Sequence, residues 1–217
     1  QSNIHQSAAP TISYLVQNFS SGYYDDNSVF LEGPNGCKLV SAKAIIICSG
    51  AYEQPAVFRN NDLPGVVLGS AVARLAHRYS IDPFERSIAL VANEIGIKRL
   101  LKLKAKGVNI NCFLHLSPFE ANESLRKKAE SMGIEVIINV IPTEAKGKNG
   151  CLSSFVYRTV DDPSTREISC DGLILSVGWS PASNLLVHAG AKLKYVEGVN
   201  QLIPSKLPSG IFAAGTL

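Results

Sequence analysis

The sequence is poor in the features that would commit it to several common classes of function. It has no long hydrophobic run, no paired cysteine spacing, no complete glycine-rich phosphate fingerprint and no strong excess of one charge. No apolar stretch approaches the roughly 18 residues needed to cross a bilayer, and no secretory leader is recognisable, so no membrane association is expected. The cysteines Cys37, Cys48, Cys112, Cys151 and Cys170 are odd in number, and no two stand in C-x-x-C spacing. Neither a disulfide framework nor a zinc knuckle follows, and no metal site is expected. Cys48 and Cys112 lie in apolar runs, where a free thiol behaves as a small buried hydrophobe. A reducing cytoplasm is the simplest setting for such thiols. The net charge is only +3, and the basic residues are scattered apart from a cluster over residues 98–106, so nucleic-acid binding has little support. That cluster interleaves Lys98, Arg99, Lys102, Lys104 and Lys106 with Leu100, Leu101, Leu103 and Ala105, the pattern of the wet side of an amphipathic helix. A G-x-S-x-G elbow is missing, and the four histidines do not cluster with acids or cysteines, so no catalytic residue is assigned.

What is present argues for a globular chain. A hydrophobic fraction of 46% with 18% charged residues suits a sizeable core, and 217 residues suffice for two small domains. The opening Gln1-Ser2-Asn3 reads as the remainder of a purification tag. The closing residues 210–217 read as a buried strand that reaches a glycine turn where a helix should begin, so a piece of a longer polypeptide is expected. Residues 12–19 and 29–31 predict strands around a turn at residues 22–27. After a turn at Gly33-Pro34-Asn35-Gly36, the run Ala44-Ile45-Ile46-Ile47-Cys48 suits a parallel strand covered on both faces. A polar crossing over residues 53–64 leads to helical spacing over residues 69–79. Strand, helix, strand, helix and strand then follow over residues 88–91, 95–106, 108–114, 120–132 and 134–138. Three polar segments, at residues 142–145, 152–157 and 166–169, predict a β-meander, and residues 172–177 another buried strand. The expected fold class is α/β, a parallel sheet with helices on both faces plus the meander. Residues 4–60 and 182–217 would form a first dinucleotide-type domain, incomplete here, and residues 61–181 an inserted βαβ domain.

Two strand ends stand out as candidate binding turns: Ser49-Gly50-Ala51 and Gly215-Thr216. In doubly wound sheets ligands lie beyond the carboxyl ends of strands, where small residues let the backbone approach a pyrophosphate closely. Tight turns alone also place small residues there, but the two sites flank the inserted unit. The insert has a loop of its own at Val91-Ala92-Asn93-Glu94-Ile95-Gly96. It is short of glycines, Glu94 would repel phosphate, and Leu114-His115-Leu116-Ser117 stands where an acid should hold a ribose. No functional nicotinamide site is expected in the insert. Trp179 would either cover a cofactor edge or serve in packing.

Three stretches carry a family resemblance: Gly22-Tyr23-Tyr24-Asp25-Asp26-Asn27; Ala44-Ile45-Ile46-Ile47-Cys48-Ser49-Gly50-Ala51-Tyr52-Glu53-Gln54-Pro55; and Phe58-Arg59-Asn60-Asn61-Asp62-Leu63-Pro64-Gly65-Val66. Together with Gly178-Trp179-Ser180-Pro181 they resemble the α subunit of heterotetrameric sarcosine oxidase, a family with relatives among dye-linked proline dehydrogenases, opine oxidases and hydrogen cyanide synthases. The resemblance implies a glutathione-reductase-like pair of dinucleotide domains that binds NAD or FAD, with Ser49, Gly50, Ala51, Gly215 and Thr216 along the dinucleotide. It implies a flavoprotein oxidoreductase complex in which a partner β subunit oxidises a secondary amine such as sarcosine, with FMN at the α–β contact and further small subunits. Thr216 stands where flavin enzymes commonly carry an acid, which counts against FAD. The first phosphate-gripping loop is missing, so no cofactor is expected on this fragment alone. Two alternatives stay open: a non-catalytic scaffold module, and an NAD(P)H-dependent flavin reductase of the disulfide-reductase fold. The insert's want of C-x-x-C disfavours the second.

Overall fold

The computed structural model describes residues 12–24, 26–116, 123–199 and 201–216. The readings at Gln1-Ser2-Asn3 and His5, the start of the helix expected from Glu120, and the last residue Leu217 lie outside the described residues. The chain opens with an antiparallel meander of Phe19–Tyr24 (β1), Ser28–Gly33 (β2) and Gly36–Ser41 (β3), followed by Ile45–Ile47 (β4) and Ala51–Glu53 (β5). Next come Val66–Leu68 (β6), the helix Gly69–Tyr79 (α1), Ser87–Val91 (β7), Glu94–Ala105 (α2), Ile110–His115 (β8), Glu123–Ser131 (α3) and Glu135–Ile137 (β9). A second meander, Val140–Lys148 (β10), Cys151–Thr159 (β11) and Asp162–Ser169 (β12), precedes Gly172–Ser176 (β13) and Trp179–Pro181 (β14). The chain finishes through the short helix Asn184–His188 (α4), a hairpin of Lys192–Val196 (β15) and Gln201–Lys206 (β16), and Ile211–Ala213 (β17). These elements form two compact units, one comprising the residues up to Ala51 and those from Pro181 onward, the other Tyr52–Ser180.

The second unit is built on a five-stranded parallel sheet in the order β6-β13-β7-β8-β9. Strands β7 and β13 are buried at every residue, which is why their sequences are continuous apolar runs and do not alternate. The pleat divides their side chains. Ala89, Val91, Phe113 and Ile174 meet Val72 of α1, Ile97 and Leu100 of α2, and Leu125 and Ala129 of α3. Ile88, Leu90, Cys112, Leu114, Leu173 and Leu175 meet Ala145, Leu152, Phe155 and Tyr157 of the meander. The α/β class with a parallel sheet and a meander matches the sequence reading, but the layering differs: the three helices share one face and the meander takes the other. Handedness supplies the reason. β7, β8 and β9 advance in one direction, so two right-handed crossovers place α2 and α3 on the same side.

The first unit has a much smaller core, formed by Ile47, Leu186, Ala191 and Ile211. β4 and β17 pair in parallel, Ile45 with Ile211 and Ala213 with Ile47. Sequence pattern placed β4 under cover on both faces. Instead Ile46 is 67% exposed and Phe212 54% exposed, because each strand has one neighbour and one covered face among the described residues. For the same reason Cys48, expected as a buried hydrophobe, is exposed. The first strand also shifts. Residues 12–16 are exposed and unpaired among the described residues, and β1 runs through Gly22 to Tyr24, after a register irregularity between Ser20 and Gly22. The turn narrows to the residues before β2, where Tyr23 Oη donates to Asn27 Oδ1 (2.7 Å) and Asn27 takes φ 56°.

Burial sorts the thiols. Cys112 and Cys170 are buried and pushed up to about 12, first by desolvation and then by the charges of Glu135 and Asp171 respectively. A thiol pKa raised by folding favours the folded state below the ordinary value of 9.0, and that contribution is lost as pH rises toward 12. At pH about 8 the exposed Cys37, Cys48 and Cys151 should react rapidly with a chromogenic disulfide reagent, and the other two only after denaturant is added. Five fast thiols in the native protein would contradict this burial.

Candidate functional site

Parallel pairing of β4 with β17 brings the two small-residue turns of the first unit to one edge, because both strands end at the paired residues Ile47 and Ala213. Ala214 N–H donates to Ile47 O (3.1 Å), carrying the pairing one residue further. Both turns then need a left-handed backbone: Gly50 has φ 74° and Gly215 has φ 93°. A Cβ added to Gly50 would lie 3.9 Å from Thr216 Oγ1, so these two candidate residues are neighbours, while a Cβ on Gly215 would meet nothing within 4 Å. Ser49 Oγ donates to Ala182 O (2.8 Å), and Ala182 N–H donates to Gly50 O (2.9 Å). These two bonds clamp the Ser49–Gly50 turn onto the segment leading to α4. Ala51 opens β5. The five candidate residues thus fall into two adjoining turns in which Ser49 and Thr216 carry the only polar side chains. Such a place can bind an extended polar ligand through backbone groups and hydroxyls. None of these five residues is an acid, a base or a thiol for proton or hydride chemistry.

In the second unit, β7 and β13 are adjacent, and their ends mark the point where strand order reverses. Helix α2 begins there, its cap formed by Asn93 Oδ1 accepting from Gly96 N–H (2.9 Å) while Nδ2 donates to Val177 O (3.2 Å). A Cβ on Gly96 would sit 2.5 Å from Ser176 O, so the helix can lie this close to β13 only with glycine there. Gly96 therefore fills the role of the third glycine in a dinucleotide fingerprint, and counting back places Val91 and Asn93 at the first two. Glu94 is exposed and bonded to Lys98 Nζ (2.7 Å). The start of α1 is occupied as well. Glu53, only 8% exposed, accepts from Ser70 N–H at Oε2 (2.6 Å) and from Ser176 Oγ at Oε1 (3.2 Å). N–H groups at both helix starts are thus taken by the protein's own side chains. At the end of β8 the ribose-holding acid is replaced by buried His115. Trp179 lies under the Arg99 guanidinium, 4.2 Å from ring centre to Cζ.

Sequence reasoning found the turns but missed Glu53, and it did not see that Asn93 caps α2. The second had a signal, since Asn immediately before a helical apolar period is an N-cap signature. Glu53 had none, because its partners lie far along the chain. Among the described residues no group of three or more His, Cys, Asp or Glu side chains could hold a metal.

Together, a parallel sheet with a switch point, helices on one face and an antiparallel meander on the other make an α/β fold of the class expected from the sequence, similar to the folds of thioredoxin reductases and FAD-dependent pyridine nucleotide-disulfide oxidoreductases. Thioredoxin reductase of T. acidophilum superposes with a TM-score of 0.68 at 17% identity, over 89% of this chain and 63% of that one. In sequence the chain is similar to sarcosine oxidase subunit α. It is 26% identical to that of Rhizobium meliloti (strain 1021) over 95% of its length, and 25% identical to that of Corynebacterium sp. (strain P-1) over 97%. It spans 21% and 24% of those two proteins. No protein-family model matches the chain.

Two substitutions test the start of α2. Alanine at Gly96 gains about 1 kcal/mol of helix propensity but forces a contact costing about 2–3 kcal/mol, so a net loss of about 1–2 kcal/mol is expected in urea unfolding. Asn93→Ala should cost about 1 kcal/mol through the lost cap. A Gly96→Ala protein more stable than the parent would mean the helix does not approach β13 so closely. Glu53→Ala, which strips an acceptor from Ser70 N–H and Ser176 Oγ, should lower stability by about 2 kcal/mol. An unchanged melting temperature would deny the carboxylate its bridging role.

Proposed function

We propose that this chain is part of the α subunit of a cytoplasmic, sarcosine-oxidase-like flavoprotein complex, in which it binds a dinucleotide and supports assembly with a β subunit and further small subunits. In this reading residues 4–60 and 182–217 belong to the first dinucleotide domain and residues 61–181 to the inserted one. Ser49, Gly50, Ala51, Gly215 and Thr216 line the nucleotide, NAD or FAD. The observation that carries the reading is the parallel β4–β17 pair, which joins two left-handed, side-chain-poor turns at the carboxyl edge of their strands. The open space at Gly215 fits a phosphate-bearing chain, since nothing lies within 4 Å of the position its Cβ would take. Bound there, the dinucleotide supplies redox chemistry and this chain supplies the grip. Backbone N–H groups of the turns meet its charge, the Thr216 hydroxyl can donate to a phosphate or a ribose oxygen, and Ser49 holds its turn in place. Oxidation of a secondary amine, sarcosine or a similar compound, belongs to the flavin of the β partner, with FMN at the contact between subunits. Among the described residues no helix is long and apolar enough to cross a membrane, which accords with a cytoplasmic place.

A second reading, a nucleotide-type domain that only supports assembly, has its own observation in the inserted unit, where Asn93 and Glu53 occupy the helix starts and Val91 and Asn93 replace glycines. The two readings separate in the complete subunit co-produced with its co-encoded partners. The first expects flavin absorbance, oxidation of sarcosine or proline, and about one dinucleotide released per α subunit on denaturation. In that complex Gly50→Val should cut bound dinucleotide about tenfold or more, because a β-branched residue is strained at positive φ, while the partners still copurify. Full occupancy in the variant would remove the turns from the binding site. An absence of bound nucleotide in the parent complex would leave the scaffold reading.

A further inference from the structure

We propose that the trough between α1 and α2 docks an acidic, amphipathic segment of a partner protein, with an apolar residue seated at its Trp179 end. The basic cluster over residues 98–106 is more than a wet helix face. Lys98, Arg99 and Lys102 line a groove of about 550 Å³ with His77 of α1, Ile95 and Trp179. An adjoining hollow of about 460 Å³ shares His77 and continues to Lys106, whose Nζ lies 2.7 Å from His77 Nδ1. Lys98, Lys102 and Lys106 recur every fourth residue, a row of cations about 12 Å long at 1.5 Å per helical residue.

The charge in this trough is incompletely matched within the unit. Glu94 pairs with Lys98, and Asp82 in the second hollow accepts from the N–H groups of Phe84 and Asn109. Among the described residues no carboxylate lies within ion-pair distance of Arg99 or Lys102, and Arg99 Nη1 is buried without a hydrogen bond. Arg99 Cζ meanwhile lies 4.2 Å from the centre of the Trp179 ring, and Trp and Arg are the residue types in which binding energy concentrates at protein interfaces. Ile95, 63% exposed, adds an apolar edge at the same end. A row of this length decides between ligand classes. One phosphate reaches one or two of the cations, whereas carboxylates about one turn apart on a helix, about 6 Å, can meet all three. A duplex or single strand of nucleic acid would call for a wider basic face than a chain of net charge +3 offers. Charge complementarity of this kind mainly sets orientation and encounter rate, and the apolar end sets register. The inference does not rest on the nucleotide reading, since every residue it uses belongs to Tyr52–Ser180 and every nucleotide-turn residue to the other unit.

The test uses the 217-residue chain and fluorescence anisotropy. The probe is a labelled helical peptide of about 15 residues, with Leu near one end and Glu one, two and three turns on. Micromolar binding at low salt is expected, weakening steeply as salt rises. Lys98→Glu with Lys102→Glu should weaken it about tenfold or more. Both lysines are exposed, so the double variant should keep the parent's circular dichroism and melting temperature. Trp179→Phe should reduce the preference for this peptide over one of equal charge with Leu moved to the middle. The proposal is overturned if the double variant binds as tightly as the parent, or if the rearranged peptide binds equally well. A poly-dT strand of similar charge that binds more tightly, or pyrophosphate that displaces the peptide at micromolar concentration, would overturn it in favour of nucleic acid or of a small phosphate.

Discussion

Strand β13 is the constraint around which the second unit is organised. It comes late in the unit yet lies between β6 and β7, with all five of its residues buried. Burial of Leu173, Ile174 and Leu175 alone contributes on the order of 6 kcal/mol, comparable with the whole net stability of a small domain. The polar contacts at that end of the sheet converge on the same few residues. Gly96 rests against Ser176 O, Asn93 reaches Val177 O, and Glu53 bridges Ser176 Oγ to the start of α1. Displacing β13 would uncover the sheet on both sides and release two helix starts together.

Where the sequence reported local geometry, the fold was legible in it. The period over residues 69–79 gave the helix Gly69–Tyr79 residue for residue, and the apolar runs at residues 88–91 and 172–177 marked the two buried central strands. Elements that depend on distant partners were hidden. β6 is three residues abutting a helix, and Lys192-Leu193-Lys194-Tyr195-Val196 becomes a strand only by pairing with β16. The turns at Gly50 and Gly215 could be picked out because a left-handed backbone demands small residues. Glu53 could not, since nothing near it predicts a bond to Ser176 across 123 positions of chain. The helix layering was misjudged for a related reason, as composition reveals that a strand is covered but not by which kind of element.

The two units differ in how much of their apolar surface they cover. In the second, sheet, helices and meander bury two continuous clusters. In the first, four buried residues carry the core, and Ile46, Phe212, Leu39 and Leu202 remain exposed. The candidate nucleotide turns belong to the thinner unit, where a ligand bound only by the folded form would add stability in proportion to the logarithm of its concentration over its dissociation constant. Tight binding and persistence of that unit are physically linked.

The parallel partnership of β4 with β17 has a consequence for biosynthesis. Translation at about 5–20 residues per second leaves an interval on the order of ten seconds between emergence of the two strands from the ribosome. Throughout it Ile45-Ile46-Ile47 has no β17 to pair with, while Tyr52–Ser180 emerges whole and can collapse on its own. A three-isoleucine segment waiting that long without its neighbour is a natural landing place for a chaperone, and the vectorial order of synthesis means that the two candidate turns can adjoin only once β17 has emerged.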